Sequence, residues 1–302
     1  MTTTTYIDGD VIMYRSAFSG EVQAYGLQEK DGNVYVSTST RERAEALQLE
    51  SQYLKNTTIV RTQEPLPVRM AQRNLENDIR NIQNKTGCLS SVIYLTHPDK
   101  AKNERYGVAK TVPYKGNRKA LMPVHKEAMF DYLCEMGAVV VEGIEADDAL
   151  GIALFNDKDG ICASIDKDLL MVPGKHYNLN NEIITIASDP GVLSLEKTKN
   201  SKKLRGTGFK WFCAQMLMGD PVDNIKGLLG YGDVKAHKLL DPVSHIEDMY
   251  RLVKNHYVMA GEGIGRFYEN ANLLWIRRNE DEDFARWVNI NMPYVTNGVQ
   301  LD

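Results

Sequence analysis

Apolar segments that end at acidic side chains recur along this chain, and they constrain its fold more than any other feature. Three predicted strands of this kind cover residues 6–8, 139–141 and 161–165, and a fourth at 92–95 precedes Asp99 less directly. Between residues 92 and 165 they alternate with predicted helices, which is typical of a mostly parallel sheet with helices on both faces. Such sheets gather the carboxyl ends of their strands, and their ligands, at one edge. The sequence therefore predicts an α/β fold with acidic side chains collected at that edge.

The acids at these strand ends favour a metal site. Asp8 ends the first strand, Glu145, Asp147 and Asp148 follow the third, and Asp166 and Asp168 follow the fourth. Acids at the start of a helix are also stabilised by its dipole, but three within four residues at a strand end favour metal ligation. Oxygen ligands suit Mg²⁺ or Mn²⁺, and two such ions about 4 Å apart can stabilise phosphodiester hydrolysis. We predict two or more ions, and whether Asp10 joins the ligands stays open.

The charge distribution favours a nucleic-acid partner although the formal net charge of the 302-residue chain is −4. Seven Lys or Arg lie between residues 99 and 119, and five more lie between 197 and 205. Either basic run alone could be a solvated loop. Placed beside an acidic cluster, they favour a phosphate polymer that passes a metal site over a small anionic ligand.

The sequence gives little support to other classes of protein. No apolar run approaches the roughly 18 residues of a membrane span, and the N-terminus lacks the order of a signal peptide. The four cysteines are scattered, which is typical of reduced thiols in a cytosolic protein. The six histidines form no HExxH pattern, and no Ser-His-Asp or Cys-His arrangement stands out. We expect a cytoplasmic protein that does not enter a membrane.

A glycine-rich turn between two predicted helices is the second informative segment. Gly227, Gly230 and Gly232 form it, and Asp220 and Asp223 precede it. Glycines let the backbone approach a phosphate closely and offer its N–H groups. A glycine-rich turn by itself is weak evidence, and here the two aspartates make the pattern specific.

Together these segments resemble the 5′ nuclease superfamily of flap endonucleases and 5′–3′ exonucleases, with the bacteriophage exonucleases looking closest. The resemblance rests on Asp8-Gly9, on the Glu-Ala-Asp-Asp and Asp-x-Asp motifs at 145–148 and 166–168, on Tyr-Lys-Gly-Asn-Arg at 114–118, and on Gly-Asp-x-x-Asp-Asn-Ile at 219–225. It implies a PIN-like 5′ nuclease core over residues 1–190, with a helical arch near 99–135. Residues 191–302 would form a helical region that carries a helix–three-turn–helix element at about 210–245, and 191–208 reads as a mobile linker.

The resemblance also implies site residues. Lys115 and Arg118 would contact the scissile phosphate as catalytic cations. The family usually carries an aspartate directly after the second strand, where His97 stands here. Three alternatives stay open: Asp99 takes that role after a local shift, His97 replaces the acid, or the ligand is absent; Asp99 is slightly favoured. The implied metal ligands are Asp8, Glu145, Asp147, Asp148, Asp166, Asp168 and Asp223, with Asp99 and Asp220 as weaker candidates. The implied DNA-binding residues are Tyr114, Lys115, Arg118, Lys119, Gly227, Gly230, Gly232 and Lys235. A potassium ion in the turn is a further implication.

We therefore expect a metal-dependent 5′ nuclease that cuts DNA at or near 5′ ends, leaving a 5′-phosphate and a 3′-hydroxyl, in phage DNA replication or primer removal. The substrate would be DNA with a 5′ end or 5′ flap, with an RNA–DNA hybrid left open, and the protein would act as a monomer, in the host cytoplasm if it is phage-encoded. The alternatives are a duplex-binding protein without catalysis and a PIN-type ribonuclease. The acids beside Lys115 disfavour the first, and the glycine-rich turn disfavours the second.

Overall fold

A computed structural model of the chain describes residues 3–117, 121–199 and 201–296, and the side chains of Tyr35 and Thr296 are not described. Strands β1–β13 span Thr4–Asp8, Glu21–Gln28, Val34–Thr38, Thr58–Pro65, Ser90–Thr96, Val139–Val141, Ile161–Ser164, Gly174–Asn178, Ile184–Ala187, Leu193–Lys197, Lys202–Gly206, Gly219–Asp220 and Ile225–Lys226. Helices α1–α12 span Gly9–Ser19, Arg41–Glu50, Val68–Thr86, Arg105–Val108, Lys126–Glu135, Ala146–Asn156, Gly208–Met218, Asp233–Leu240, Ile246–Met259, Gly263–Leu274, Phe284–Asn291 and Pro293–Thr296. Two 3₁₀ helices cover Lys100–Lys102 and Asp168–Met171.

The chain divides into two compact units at places other than the predicted boundary at residue 190. The first unit comprises Met1–Asp10, Asn81–Ala120 and Gly137–Asp302, and the second comprises Val11–Arg80 and Leu121–Met136. Parts of both predicted domains fall in the first unit because they share one apolar core: Leu150 and Cys162 belong to the same buried cluster as Phe209 and Trp275. The predicted α/β fold is confirmed, but its helical region is not separate from the sheet.

The first unit is built on a sheet that, among the described residues, has six strands in the order β6-β5-β1-β7-β8-β9. Every neighbouring pair is parallel except β8 and β9. Asp8 at the end of β1 lies opposite Tyr94 of β5, and Ile7 lies opposite Ala163 of β7. The carboxyl ends of β1, β5, β6 and β7 therefore meet at one edge, as the sequence predicted.

Helix α1 begins directly after Asp8 because Gly9 lets the backbone pass close to the Tyr94 carbonyl of β5. A Cβ atom added at Gly9 would lie 2.3 Å from the carbonyl oxygen of Tyr94, well inside van der Waals contact. Any larger residue would push β1 away from β5. The immediate turn into a helix also swings Asp10 toward the end of β5, where its Oδ1 accepts a hydrogen bond from the Thr96 N–H at 3.3 Å.

Helix α7 fills the centre of the first unit's core. Its residues Gly208 to Leu217 are all buried, which is typical of a helix enclosed on every side. The aromatic rings packed there belong to α7, to α11 and to the residue after α10, and they meet stacked, tilted or edge to face. The members of this aromatic cluster are Phe209, Phe212, Trp275, Phe284 and Trp287.

The segment expected to be a mobile linker, residues 191–208, instead contains a paired hairpin, and residue 200 lies outside the described residues. Strands β10 and β11 pair antiparallel from Leu193↔Gly206 to Lys197↔Lys202. Leu193 and Leu204 are buried in the core of the first unit. Alternating lysines masked the strand pattern in the sequence, because only the inward side chains of this hairpin are apolar.

The second unit contains an antiparallel sheet in the order β3-β2-β4, with α2 beside it. Leu27 of β2 and Ala44 of α2 are fully buried. Most side chains of β2 and β4 are partly exposed, so these strands carry few apolar residues. Among the described residues, no helix has the length and apolar character that a membrane crossing requires.

Candidate active site

The carboxyl edge of the sheet brings acids from three strand ends together. Asp8 is 2% exposed, and its Oδ2 accepts a hydrogen bond from the Ser164 hydroxyl at 2.6 Å. The same Ser164 oxygen accepts the Asp166 N–H at 2.9 Å. The end of β7 thus ties Asp166 to Asp8, two acids that are far apart in the sequence.

Asp147, at the start of α6, faces this pair. Its burial, followed by the charges of Asp166 and Asp8, raises the pKa of the Asp147 carboxyl well above its usual value. Burial likewise raises the pKa of Asp166. Groups of like charge held together in a poorly solvated place favour their protonated forms unless a cation neutralises them. The set of Asp8, Asp147 and Asp166 is therefore the part of the edge with the greatest need of a bound cation.

Glu145 differs from these acids because the protein itself neutralises it. Arg105 Nη1 donates to Glu145 Oε2 at 2.9 Å, and Lys115 Nζ donates to Glu145 Oε1. Asn103 and the Tyr114 hydroxyl donate to the same carboxylate, each at 2.9 Å. Burial acts to raise the pKa of Glu145, but the charges of Arg105 and Lys115 outweigh it and lower the pKa to about 2. Glu145 is thus a permanent anion inside a shell of donors.

Arg105 is a site residue that the sequence did not reveal. Its guanidinium is buried, and besides Glu145 it binds Asp148 Oδ1 at 2.8 Å and the Trp275 carbonyl at 3.0 Å. In the sequence it is one of several cations in a basic run, and nothing local separates it from the solvated ones. The acids offered an indirect signal, since Glu145 and Asp148 at a buried helix start require an internal cation.

Asp168 and Asp220 share a second internal cation. Lys167 Nζ lies 3.1 Å from Asp168 Oδ1 and 3.0 Å from Asp220 Oδ2. Gln215 of α7 also donates to Asp168 Oδ1. Burial, followed by the charge of Asp166, raises the pKa of Asp168 to about 7. Asp168 therefore lies between Asp166 of the acidic set and Asp220, which precedes the glycine-rich turn.

Asp223 joins the segment before the glycine-rich turn to the basic connection, which is the run of cations between residues 99 and 119. The Tyr114 hydroxyl lies 2.9 Å from Asp223 Oδ2, and Lys115 Nζ lies 3.8 Å from the same oxygen. The Lys115 N–H also donates to the Asp223 carbonyl at 2.9 Å. Lys115 has a φ of +53°, a left-handed conformation that is unfavourable for a lysine and is maintained only by such surrounding contacts. The resulting geometry directs its ammonium at Glu145.

Tyr114 and Asp99 do not occupy the positions predicted for them. Tyr114 is 3% exposed, so its ring offers no surface to DNA, and its hydroxyl instead links Glu145 with Asp223. The Asp99 side chain is exposed and accepts the Ala101 N–H at 2.9 Å as the cap of a 3₁₀ helix. As an exposed helix cap, Asp99 is a poor candidate for a metal ligand. Arg118 and Lys119 lie outside the described residues, and an arch near 99–135 stays a prediction.

Asp10 is the acid that lies beside the end of β5 in place of Asp99. Its pKa is raised mainly by burial, and the charges of Glu145 and Lys115 both act on it. Its carboxylate therefore faces the same edge of the sheet. The sequence left its direction open, and the start of α1 at Gly9 decides it.

The predicted turn is present and is anchored by two glycines. Strands β12 and β13 pair Gly219 with Lys226, and a Cβ atom at Gly219 would lie 2.2 Å from the Gly227 nitrogen. At Gly230 and Gly232, by contrast, an added Cβ would meet no atom within 4 Å, so their backbone faces open space. Lys235 is exposed, with its Nζ 3.5 Å from the centre of the Tyr231 ring.

A cavity of about 590 Å³ opens beside the turn. Asn117 of the basic connection lines it together with Lys226, Leu229 and Gly230 of the turn and Arg266 of α10. The Asn117 amide also donates to the Pro221 carbonyl at 2.7 Å. The basic connection and the turn thus form one continuous surface. That surface adjoins the acidic edge through Lys115 and Asp223.

The chemistry of the acids fits Mg²⁺ or Mn²⁺, because they offer carboxylate oxygens as ligands. Across the described ranges, however, no three Asp, Glu, His or Cys side chains converge closely enough to hold an ion as they stand. Glu145, Asp148, Asp168 and Asp220 instead engage the internal cations Arg105, Lys115 and Lys167. Asp147 and Asp166, whose pKa values are raised by burial and by neighbouring acids, are among the acids that a cation would rearrange most readily.

We expect the folded protein to lose stability as the pH rises from about 4 to 7 in a chelator, and to regain it in Mg²⁺. The folded-state pKa of Asp168 is about 7, above its ordinary 3.8. In that window the folded state therefore binds more protons than the unfolded chain, and its stability falls with increasing pH. A bound cation offsets the repulsion among the ionised acids. At a concentration of roughly 100 times its Kd, it also adds about 2.7 kcal/mol to the free energy of unfolding.

Urea unfolding at pH 5 and pH 7.5, with EDTA or with Mg²⁺, measures both effects. The Asp166→Asn variant serves as the control, because it removes one acid from the repelling set and should flatten the dependence on pH in EDTA. Equal stability in EDTA and Mg²⁺ at pH 7.5 would show that the edge does not bind the ion.

No model of a known protein family matches the chain. The chain is 30% identical over 185 residues to a 5′-3′ exonuclease of Buchnera aphidicola subsp. Schizaphis graminum, an alignment that covers 58% of this chain and 61% of that protein. It is 31% identical over 149 residues to DNA polymerase I of Caldicellulosiruptor bescii, covering 46% of this chain and 17% of the polymerase. The chain thus spans less than two thirds of these relatives.

A solved structure agrees in fold over nearly the whole chain. The T5 D15 protein, co-crystallised with metal ions, superposes with a TM-score of 0.51 at 12% sequence identity, covering 98% of this chain and 96% of that one. At this identity the match concerns the fold alone. The resemblance to 5′ nucleases that the sequence motifs predicted is therefore confirmed by the relatives in sequence, while the solved structure confirms the fold alone.

Proposed function

We propose that the protein is a divalent-metal-dependent 5′ nuclease that hydrolyses DNA phosphodiester bonds at or near 5′ ends, as a 5′–3′ exonuclease, a flap endonuclease or both. One observation carries the proposal. The Tyr114 hydroxyl lies 2.9 Å from both Glu145 of the acidic edge and Asp223 of the glycine-rich turn. The acids, the basic connection and the turn are therefore parts of a single site, and its chemistry suits a phosphate polymer.

The acids would hold the metal ions. Asp8, Asp147 and Asp166 are the leading ligands, because mutual repulsion gives them the most to gain from a cation. Asp168 and Asp223 would complete the set. Bound there, Mg²⁺ or Mn²⁺ would supply positive charge to the phosphate and a more acidic water. Glu145 and Asp148 would act mainly as the fixed anions that orient Arg105 and Lys115.

Lys115 would stabilise the reacting phosphate. Its ammonium is already directed at the acidic edge by the strained backbone and by Glu145. In hydrolysis the water oxygen bonds to phosphorus, the P–O3′ bond breaks, and the leaving 3′ oxygen takes up a proton. The negative charge that builds up on the phosphate oxygens is stabilised by a cation held in place beforehand. Arg118, three residues further along, is proposed for the same role.

The glycine-rich turn would hold the duplex by its backbone. A Cβ atom at Gly230 or Gly232 would meet no atom within 4 Å, so a phosphate could approach their backbone closely, and Lys235 adds an exposed cation on the helix that follows. Contacts of this kind position a duplex without reading its bases. A potassium ion bound by the turn carbonyls, a monomeric state and a cytoplasmic location stay predictions from the sequence.

A duplex with a 5′ flap, labelled on the 5′ end of the flap strand, tests the proposal. With Mg²⁺ we expect cleavage that stops in excess EDTA. Labelled mononucleotides would indicate stepwise digestion from the 5′ end, whereas one discrete labelled fragment would indicate incision at the flap junction. A second substrate with ribonucleotides in the 5′ segment tests the RNA–DNA hybrid. A flap duplex that is bound but stays intact with Mg²⁺ or Mn²⁺ would instead identify a binding protein.

A further inference from the structure

Helix α10 presents a polar face to two other segments of the first unit. Arg266, Glu269 and Asn270 are spaced three and four residues apart, so they share one side of the helix. Arg266 Nη2 and Asn270 Nδ2 both donate to the Lys226 carbonyl, at 3.2 and 2.9 Å. Lys226 directly precedes Gly227, so this face of α10 fixes the start of the glycine-rich turn.

Glu269 binds the basic connection from the same face. Its Oε1 accepts the N–H groups of Lys110 and Thr111 at 2.8 and 2.7 Å, and its Oε2 accepts the Thr111 hydroxyl at 2.6 Å. Both of these residues are exposed and lie outside any helix or strand. One carboxylate of α10 thus takes three hydrogen bonds from an irregular stretch of the basic connection.

The Glu269 carboxylate is largely buried and charged. Its side chain is 9% exposed, and Arg266 Nη1 lies 3.1 Å from its Oε1. Burial acts to raise the pKa of Glu269, but the hydrogen bonds from Thr111 and Lys110 and the charge of Arg266 outweigh it and lower the pKa. Hydrogen bonds to an ionised carboxylate are stronger than neutral ones. At neutral pH Glu269 is therefore a fixed anion that binds the basic connection.

The stretch that Glu269 binds leads to Lys115, four residues after Thr111. Midway along it, the Pro113 carbonyl accepts Asn224 Nδ2 at 2.9 Å. At its end, the Lys115 N–H donates to the Asp223 carbonyl. The stretch is therefore bound to α10 where it begins and to the segment before the turn where it ends.

We propose that Glu269 is a positioning residue of the nuclease, which binds the basic connection to α10 and thereby fixes where Lys115 meets the reacting phosphate. The inference rests on the proposed function, because it takes Lys115 as the cation that stabilises the phosphate. Loss of the Glu269 hydrogen bonds frees the beginning of the stretch that ends at Lys115, and the ammonium then samples a wider range of positions. A misplacement of about 1 Å can cost roughly 100-fold in rate.

Two measurements on the full chain test this with Glu269→Met, which approximates the length of the side chain and removes its oxygen acceptors. Trypsin should cut the Lys110–Thr111 bond about 10-fold faster in the variant, because local opening of this stretch is more favourable. Single-turnover cleavage of the flap duplex in Mg²⁺ should slow about 10-fold, while duplex affinity in Ca²⁺ stays within about 3-fold. Glu269→Gln keeps an acceptor oxygen and should restore most of the cleavage rate.

A double-mutant cycle shows whether the effect depends on Lys115. In the Lys115→Met background, Glu269→Met should slow cleavage less than about 2-fold, because the ammonium that it positions is gone. Glu247→Met is the matched control, since it makes the same chemical change at an exposed position of α9 and should alter neither proteolysis nor cleavage. Circular dichroism confirms that each variant is folded. Should Glu269→Met fail to fold, Thr111→Val replaces it, because it removes one of the three hydrogen bonds.

The outcomes separate the two levels of the proposal. Unchanged proteolysis after Lys110 would show that Glu269 does not hold the basic connection and would overturn the inference. Faster proteolysis with an unchanged cleavage rate, or equal slowing in both Lys115 backgrounds, would overturn the positioning role alone. If the unsubstituted protein binds the flap duplex without cutting it, the proposed function fails and the positioning role fails with it, whereas the proteolysis still reports on the contact between Glu269 and the basic connection.

Discussion

Replacing Asp166 with asparagine is expected to reduce DNA cleavage at least about 100-fold while duplex affinity stays within a few-fold. Asp166 lies in the set of repelling acids, linked to Asp8 through Ser164. Asparagine keeps the shape of the side chain but removes the charge that a divalent cation needs. The glycine-rich turn and Lys235 do not contact Asp166 in any described interaction, so duplex binding should persist.

Single-turnover experiments on the flap duplex in Mg²⁺ measure the cleavage rate, and fluorescence anisotropy in Ca²⁺ measures the duplex affinity. Asp159→Asn is the matched control, because it makes the same chemical change in an exposed loop and should cut at the normal rate. Cleavage by Asp166→Asn at an undiminished rate would contradict the metal mechanism. A parallel loss of duplex binding would instead assign Asp166 to the DNA surface.

Arg105→Met should destabilise the folded protein by about 3–5 kcal/mol at neutral pH. The guanidinium is buried and binds Glu145 and Asp148 at 2.9 and 2.8 Å. Methionine approximates its volume but leaves Asp148 without its cation and Glu145 with Lys115 alone. The cost of an uncompensated buried charge is much larger than the net value of an ion pair at the surface.

Urea unfolding at pH 7 measures this loss, and Arg277→Met provides the comparison. Arg277 Nη2 forms a 2.8 Å pair with Glu104, whose side chain is 65% exposed, so its loss should cost at most about 1 kcal/mol. The pKa of Glu145 is lowered to about 2, and its stabilising charge is therefore complete above about pH 4.5 and lost as the pH falls toward 2. The gap between the unsubstituted protein and Arg105→Met should accordingly narrow in acid. If the difference in stability between the two proteins did not depend on pH, the loss would be due to packing and not to charge.

The acidic edge could be predicted from sequence because its causes are local. Each of β1, β6 and β7 is a short apolar segment directly followed by acids, and parallel strands bring such ends to one edge. The turn at Gly227 was equally visible, since glycines and Asp220 mark it within a few residues. The hairpin β10–β11 was missed for the converse reason: its lysines conceal two inward leucines, Leu193 and Leu204, that only the core explains.

The roles of individual charged residues could not be predicted in the same way. Arg105 and Lys115 stand in one basic run and look alike in sequence, yet one is buried between Glu145 and Asp148 and the other reaches Glu145 and Asp223. The sequence left the direction of Asp10 open, and the structure turns it toward Thr96 because α1 begins at Gly9, whereas Asp99 caps a 3₁₀ helix. These outcomes depend on which elements pack together, and no local pattern records that.

By itself the sequence determined that acids meet at the carboxyl edge of a parallel sheet and that a glycine-rich turn follows them. Strand pattern, helix starts and turn glycines are properties of a few neighbouring residues, and they are physically set by short-range sterics and burial. Only the tertiary structure decided which acids are neutralised by Arg105, Lys115 and Lys167 and which are left to a metal ion. Those pairs join residues from distant segments, and their energies depend on burial and distance, which arise only when the whole core has packed.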